Sequence, residues 1–343
     1  KYVLKEIQKS KHLELQLIIG ASTVLDRFGK CAEIIKKDGF TPVRSLHYVI
    51  EGETLSTQAK STGLGIIELA TAFDDLKPDM VLTVADRFET MSTAIAASYL
   101  NIPLVHLQGG EISGNIDDRV RHSITKLADL HFVCSEKSAK RVISMGESPS
   151  TVFNYGCPSL DILINEDMRL NPKKLDKYKG VGIDINWDKE YILMIQHPVT
   201  NTYGQGIKEV NETLMALKSF SNIQKIVLWP NLDAGSDDIS KGIRCFREQN
   251  MNELIHYQKN FSPEDYACVL NNAICCVGNS SSFIREGSFL GVPTVLIGDR
   301  QHGREYGKNI VRAKYNREEI SKLIQIQIEK KRFEPDKIYG LGT

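Results

Sequence analysis

Short apolar runs in this chain are each followed by a cluster of side chains able to do chemistry. Val81–Val84 runs into Asp86-Arg87, and Leu104–Leu107 into Gln108-Gly109-Gly110-Glu111, with Asp117-Asp118 and Arg121-His122 further on. Tyr191–Ile195 leads to Gln196-His197-Pro198, Val227–Trp229 to Asn231 and Asp233, and Val295–Ile297 to Arg300 and Arg304-Glu305. Gly278-Asn279-Ser280-Ser281-Ser282 follows the apolar run 273–277 and precedes Arg285-Glu286. Carboxylates such as Asp86, Glu111 and Asp117 suit proton abstraction, and His197 suits proton donation or relay. A serine loop where a strand hands over to a helix offers N–H groups and hydroxyls to a phosphate at the positive end of the helix dipole. Arg285, one turn further in, adds a cation for that anion, and Glu286 an acceptor for sugar hydroxyls.

Each feature also has a structural use. Asp86 and Asp117 could cap helices, and the serines could cap the helix after residue 283. His197 could be a satisfied loop histidine. Arg304-Glu305 could be a solvated pair, and Gly109, Gly110 and Gly114 could be simple turns. Their shared position after strands favours the functional reading.

The elements that must hold them alternate. Residues 2–7 have helical periodicity, and 12–20 alternate as a strand. Strands are expected at 79–84, 103–107, 130–134 and 152–155, with helices at 87–100, 118–127 and 136–145 between them. Residues 165–188, with Asn171-Pro172 and scattered charges, read as a linker region. Strands at 191–195, 225–229, 273–277 and 292–297 then alternate with helices at 206–220, 239–250 and 262–271. β-α repetition implies parallel sheets covered on both faces. The expected fold is α/β, with two doubly wound Rossmann-like domains, 1–165 and 166–343, whose strand C-termini open on one interdomain cleft.

Bulk properties narrow the function. The 343 residues carry 43 basic and 43 acidic side chains, so the basic footprint of a nucleic-acid binder is missing. No apolar run nears the ~18 residues of a membrane span, and no signal peptide is visible. Seven cysteines without C-x-x-C spacing suggest buried, reduced thiols in a cytoplasmic protein.

The motifs resemble those of the hydrolysing UDP-N-acetylglucosamine 2-epimerases: Asp86-Arg87-Phe88, Gly109 to Gly114, Ile116-Asp117-Asp118, Arg121 to Leu127, Gly156-Cys157-Pro158-Ser159, Gln196 to Thr200, Pro230 to Ser236, Gly278 to Ser281, Arg285-Glu286, Arg300-Gln301, Gly303-Arg304-Glu305 and Lys337 to Gly340. They run through nearly the whole chain in order. The resemblance implies two Rossmann-like domains in a glycosyltransferase-B arrangement. It also implies conversion of UDP-N-acetylglucosamine to N-acetylmannosamine and UDP, through loss of the C2 proton, departure of UDP to leave a 2-acetamidoglucal, and addition of water. On this basis Asp86, Glu111, Asp117 and His197 are the expected catalytic residues. Arg87, Gln108, Asn231, Asp233, Ser280, Ser281, Ser282, Arg285, Glu286 and Arg304 are the expected substrate contacts, with Glu286 on the ribose. No metal or cofactor is called for, since arginines and helix dipoles can neutralise UDP. A homo-oligomer, dimer or tetramer, is expected.

Two departures stand out. The family's opening strand and its Gly-Thr-Arg-Ala-Glu-Tyr-like loop are not present, nor is a closing helix after Tyr339-Gly340. At Gln108 many relatives carry a glutamate proposed for acid/base chemistry, which an amide cannot perform. A related branch acting on a UDP-2,4-diacetamido-trideoxyhexose is the first alternative. A UDP-sugar transferase of the same fold, or an inactive UDP-sugar-binding module, is the alternative of another class.

Overall fold

The computed structural model describes residues 1–26, 31–114 and 116–341. The chain forms two compact units, Lys1–Asp161 with Gly340 onward, and Ile162–Tyr339.

In the first unit α1 (Tyr2–Lys9), β1 (Ile18–Gly20), α2 (Cys31–Lys37), β2 (Arg44–Leu46) and α3 (Leu55–Leu76) precede the alternation read from the sequence. That alternation is β3 (Val81–Val84), α4 (Phe88–Tyr99), β4 (Leu104–Leu107), α5 (Ile116–Leu127), β5 (Leu130–Val133), α6 (Glu136–Ser144) and β6 (Val152–Asn154). β3-β4-β5-β6 form one parallel sheet, and β1 pairs with β2 in a second. The strand expected over 12–20 shrinks to three residues, because β2 offers partners only to Ile18, Ile19 and Gly20.

The longest helix, α3, was not foreseen. Thr54 and Thr57 close a reciprocal capping box at its start. Its buried stripe of Ser61, Gly65, Leu69, Ala72 and Phe73 begins with small residues. A Cβ on Gly65 would come within 2.7 Å of the Ser92 hydroxyl on α4, so the missing side chain is what lets the two helices approach.

The second unit contains α7 (Asp161–Asn165), α8 (Pro172–Leu175), β7 (Val181–Gly182), β8 (Tyr191–Ile195), α9 (Gly206–Lys218), β9 (Gln224–Leu228) and α10 (Ser236–Gln249). It continues through β10 (Ile255–Gln258), α11 (Pro263–Asn272), β11 (Cys275–Gly278), α12 (Arg285–Leu290), β12 (Thr294–Ile297), β13 (Ile310–Ala313) and α13 (Arg317–Lys330). Its strand order is β13-β12-β11-β8-β9-β10-β7, with only β7 antiparallel. Along β8, Ile192 and Met194 enter one apolar cluster while Tyr191, Leu193 and Ile195 enter the other. Burial on both faces explains the unbroken apolar run. The stretch 165–188 is part of this unit rather than a linker: Leu175 and Trp187 are buried in its core, and β7 pairs with β10.

β11 ends on Gly278 at φ 136°, where a Cβ would stand 1.9 Å from the Ile195 carbonyl oxygen. Gly278→Ala is therefore expected to lose about 3 kcal/mol or more of stability. An unchanged urea midpoint for that variant would contradict this close approach.

Candidate active site

In a parallel sheet every strand ends at the same edge, so residues far apart in sequence gather there. At that edge of the first unit, Arg121 is the hub. This guanidinium on α5 is fully buried. Nη2 donates to Asp86, which follows β3, and lies 3.3 Å from Ser113 Oγ. Nη1 donates to Asp118 Oδ1 and to the Glu111 carbonyl, each at 2.7 Å. Burial works against the charge, but Asp86, Glu111 and Asp118 more than offset it, and the arginine pKa rises above its ordinary value. Burial alone would raise Asp118. The Ser113 and Gly114 N–H groups and the Ser113 hydroxyl, with Arg121, outweigh it and hold that carboxyl below its usual range. One guanidinium thus serves two carboxylates, and a negative charge remains on the cluster.

The Asp86 backbone is braced from behind. Ala85 sits at φ 64°, an uncommon conformation outside glycine, and its carbonyl accepts from His106 Nε2 at 2.8 Å. His106 is fully buried, and burial, opposed by the Ala85 hydrogen bond, lowers its pKa to about 4. It is therefore neutral in the folded chain and takes up a proton on unfolding below its ordinary value of 6.5. The unfolded state then binds more protons, so stability should fall by about 3 kcal/mol as pH drops from about 6.5 to 4, with no further loss from this group below that. Urea titrations across that range test this, and His106→Gln should flatten the slope.

Gln108 follows β4, also at φ 64°, with its amide donating to Cys157 Sγ at 3.4 Å. Glu111 is buried, while Asp117 lies half-buried in the first turn of α5. Arg87, an expected substrate contact, pairs with Glu89 at 2.7 Å and occupies the N-cap position of α4. Asp86 stands one residue before that cap position.

In the second unit the sheet order reverses between β8 and β11, the switch point where ligands of such sheets bind. His197 follows β8 and Asn279 follows β11. The Asn279 carboxamide clamps the His197 backbone, accepting its N–H at 2.7 Å and donating to its carbonyl at 2.9 Å. The Asn231 N–H donates to His197 Nδ1 at 3.2 Å, and the Asn231 side chain bonds Asp233 at 2.5 Å. Arg300 joins Asp233 at 2.9 Å and the Pro198 carbonyl at 3.3 Å.

The serine loop is a short 3-10 turn, Ser281–Phe283, ahead of α12. Ser280 caps that turn, and its hydroxyl meets Ser282 at 2.9 Å, which in turn meets Tyr266 at 2.5 Å. Arg285 opens α12 instead of lying a turn inside it, because the 3-10 turn uses up the residues between. Glu286 follows in its first turn, and Arg304 is buried after β12.

The sequence matches the family model described as UDP-N-acetylglucosamine 2-epimerase over residues 5–343. The chain belongs to this epimerase family. Among curated relatives, the GDP/UDP-N,N'-diacetylbacillosamine 2-epimerase (hydrolyzing) of Campylobacter jejuni is 34% identical over 91% of this chain and 79% of its own length. The UDP-N,N'-diacetylbacillosamine 2-epimerase (hydrolyzing) of Legionella pneumophila is 32% identical over 99% of this chain and 88% of its own. Among solved structures, the Methanocaldococcus jannaschii UDP-GlcNAc 2-epimerase in complex with UDP-GlcNAc and UDP superposes with a TM-score of 0.81 at 16% identity, covering 99% of this chain and 91% of its own. The chain's two Rossmann-like units are of the glycosyltransferase-B fold class.

Within this chain the expected residues fall into two groups, one per unit. Asp86 and Glu111 meet at Arg121; His197, Asn231 and Asp233 form one network. Arg121, Asp118, Asn279 and Arg300 stand in the motifs but, like His106, have no catalytic or substrate role assigned from the sequence. The Asp118-x-x-Arg121 spacing, one helical turn on one face, was the available signal for the first two.

Proposed function

We propose that the chain is a hydrolysing 2-epimerase of a UDP-linked 2-acetamido sugar, and that N,N'-diacetylbacillosamine, a 2,4-diacetamido-trideoxyhexose, is the sugar it prefers. The observation that carries the reaction type is the buried Asp86–Arg121–Asp118 cluster, a fixed carboxylate at a strand end. The choice of sugar is supported by the hydrolysing diacetylbacillosamine epimerases at 34% and 32% identity.

In this mechanism Asp86 removes the C2 proton, the C–H pair becomes the C1=C2 bond, and the C1–O pair leaves on UDP. Water then adds at C1 as C2 regains a proton on the opposite face. Asp86 suits the first step because Arg121 fixes its place, while Asp118 shares the guanidinium and preserves negative charge. Asp117 and Glu111 are the carboxylates proposed to return the proton. The second unit supplies the UDP side: Ser280, Ser281, Ser282, Arg285 and Arg304 for the diphosphate, Glu286 for the ribose. The cysteines form no disulfide among the described residues, which supports work in the reducing cytoplasm.

UDP-N-acetylglucosamine is the second reading, favoured by the description of the matching family. Initial rates of UDP release from the two sugar nucleotides compare them directly. A higher kcat/KM with the diacetamido sugar supports the preference, and a higher value with UDP-N-acetylglucosamine reverses it. Release of UDP only when a sugar acceptor is added would instead indicate a transferase.

A further inference from the structure

We propose that His197 acts as a neutral hydrogen-bond donor through Nε2, not as an acid–base relay, and that Asn279 is the positioning residue that keeps it so. The inference rests on the epimerase reading only for the identity of the leaving group.

A backbone N–H can only donate. The Asn231 N–H, 3.2 Å from His197 Nδ1, therefore requires a lone pair on that nitrogen. The ring proton then sits on Nε2, since the bond made by one imidazole nitrogen sets the tautomer of the other. Protonating Nδ1 would set two N–H groups against each other. Such an imidazole gives a hydrogen bond but has no second proton to deliver, because losing its only one would leave an imidazolate.

Asn279 is fully buried and makes the geometry rigid. Its carboxamide bonds both the N–H and the C=O of His197, and its own backbone carbonyl accepts from Gln301 Nε2 at 3.1 Å. The Asn279 N–H donates to the Ile195 carbonyl at 3.0 Å, tying the loop after β11 to the end of β8. The histidine backbone is thus fixed on one side by Asn279 while its ring is fixed on the other by Asn231. A flip of the ring would lose the Asn231 bond.

The chemistry agrees with a donor that keeps its proton. When the C1–O bond breaks, the electron pair goes to an oxygen of the terminal phosphate of UDP. That phosphate has a second pKa of about 6 and leaves as its stable dianion at neutral pH, so no general acid is needed. A neutral N–H bonding that oxygen would stabilise the charge as it grows, in the manner of a preorganised oxyanion donor.

The test begins with the full chain labelled with 15N-histidine, the His197 ring signals being assigned by their loss in His197→Gln. Between about pH 6 and 8 the expected spectrum has an unprotonated Nδ1 and a protonated Nε2. A protonated Nδ1, or a mixture of tautomers, overturns the proposal, and this readout needs no substrate. In assays of UDP release, His197→Ala should lose about 10²-fold in kcat, while His197→Gln, whose amide N–H reaches the same place, should stay within about tenfold of the parent. If glutamine falls as far as alanine, a proton relay is favoured and the proposal fails. Asn279→Ala, with its fold checked by circular dichroism, should show mixed tautomers and a kcat loss with little change in KM. An unmoved tautomer in that variant removes Asn279 from the role. Should neither sugar nucleotide be turned over by the parent chain, the epimerase reading falls, while the spectrum still decides the tautomer.

Discussion

Replacing Arg121 by methionine should destabilise the first unit by about 3–5 kcal/mol and abolish UDP release. The guanidinium has no exposed surface, and its four hydrogen bonds tie the ends of β3 and β4 to α5. Methionine matches much of the volume but leaves Asp86 and Asp118 largely buried without the Arg121 charge, their side chains only 16% and 19% exposed. A lone buried charge is far costlier than a missing pair. Arg121→Met with Asp118→Asn should therefore recover part of the lost stability and none of the activity, a coupling that a double-mutant cycle in urea measures. Equal stability for the single variant and the parent would contradict the hub.

Asp86→Asn should leave the fold nearly unchanged and lower kcat about 10³-fold, within the range for a lost general base. Asparagine is isosteric and keeps an oxygen to accept from Arg121, so the cluster stays assembled, but an amide cannot take the C2 proton. KM should move little, because the carboxylate acts on the reacting carbon more than on UDP. Asp117→Asn and Glu111→Gln separate the roles: a smaller loss in both supports Asp86 as the base. A normal rate in Asp86→Asn with a large loss in Asp117→Asn would move the base to Asp117.

Which parts of this were legible in the sequence follows from the range of the interactions. β8 was legible because five consecutive apolar residues buried on both faces leave no other reading. α3 was not, since Ser61 and Gly65 face the core where a helical pattern would show large apolar residues. Helix packing set that stripe, and the sequence alone does not display the neighbour. β2 is too short to produce an alternation, at three residues with two exposed.

The site divides in the same way. Strand-end positions of Asp86, Gln108, His197 and Asn231 follow from β-α periodicity. Asp118 and Arg121, three apart on one helix, were within reach of a local rule. The Asp86–Arg121 pair, 35 residues apart, and the Asn279–His197 clamp, 82 apart, depend on which strands become neighbours. Likewise, the placing of Arg285 turned on three residues choosing a 3-10 turn over an α-helix, a local choice with almost no sequence signature.

The reaction type is tested most directly by the fate of hydrogen at C2. The chain should be incubated in D2O with UDP-N,N'-diacetylbacillosamine and, separately, UDP-N-acetylglucosamine, and the products followed by NMR. The account predicts free UDP together with a free 2-acetamido sugar, inverted at C2 and deuterated there. A product still linked to UDP, or a free sugar with its original hydrogen at C2, would contradict it.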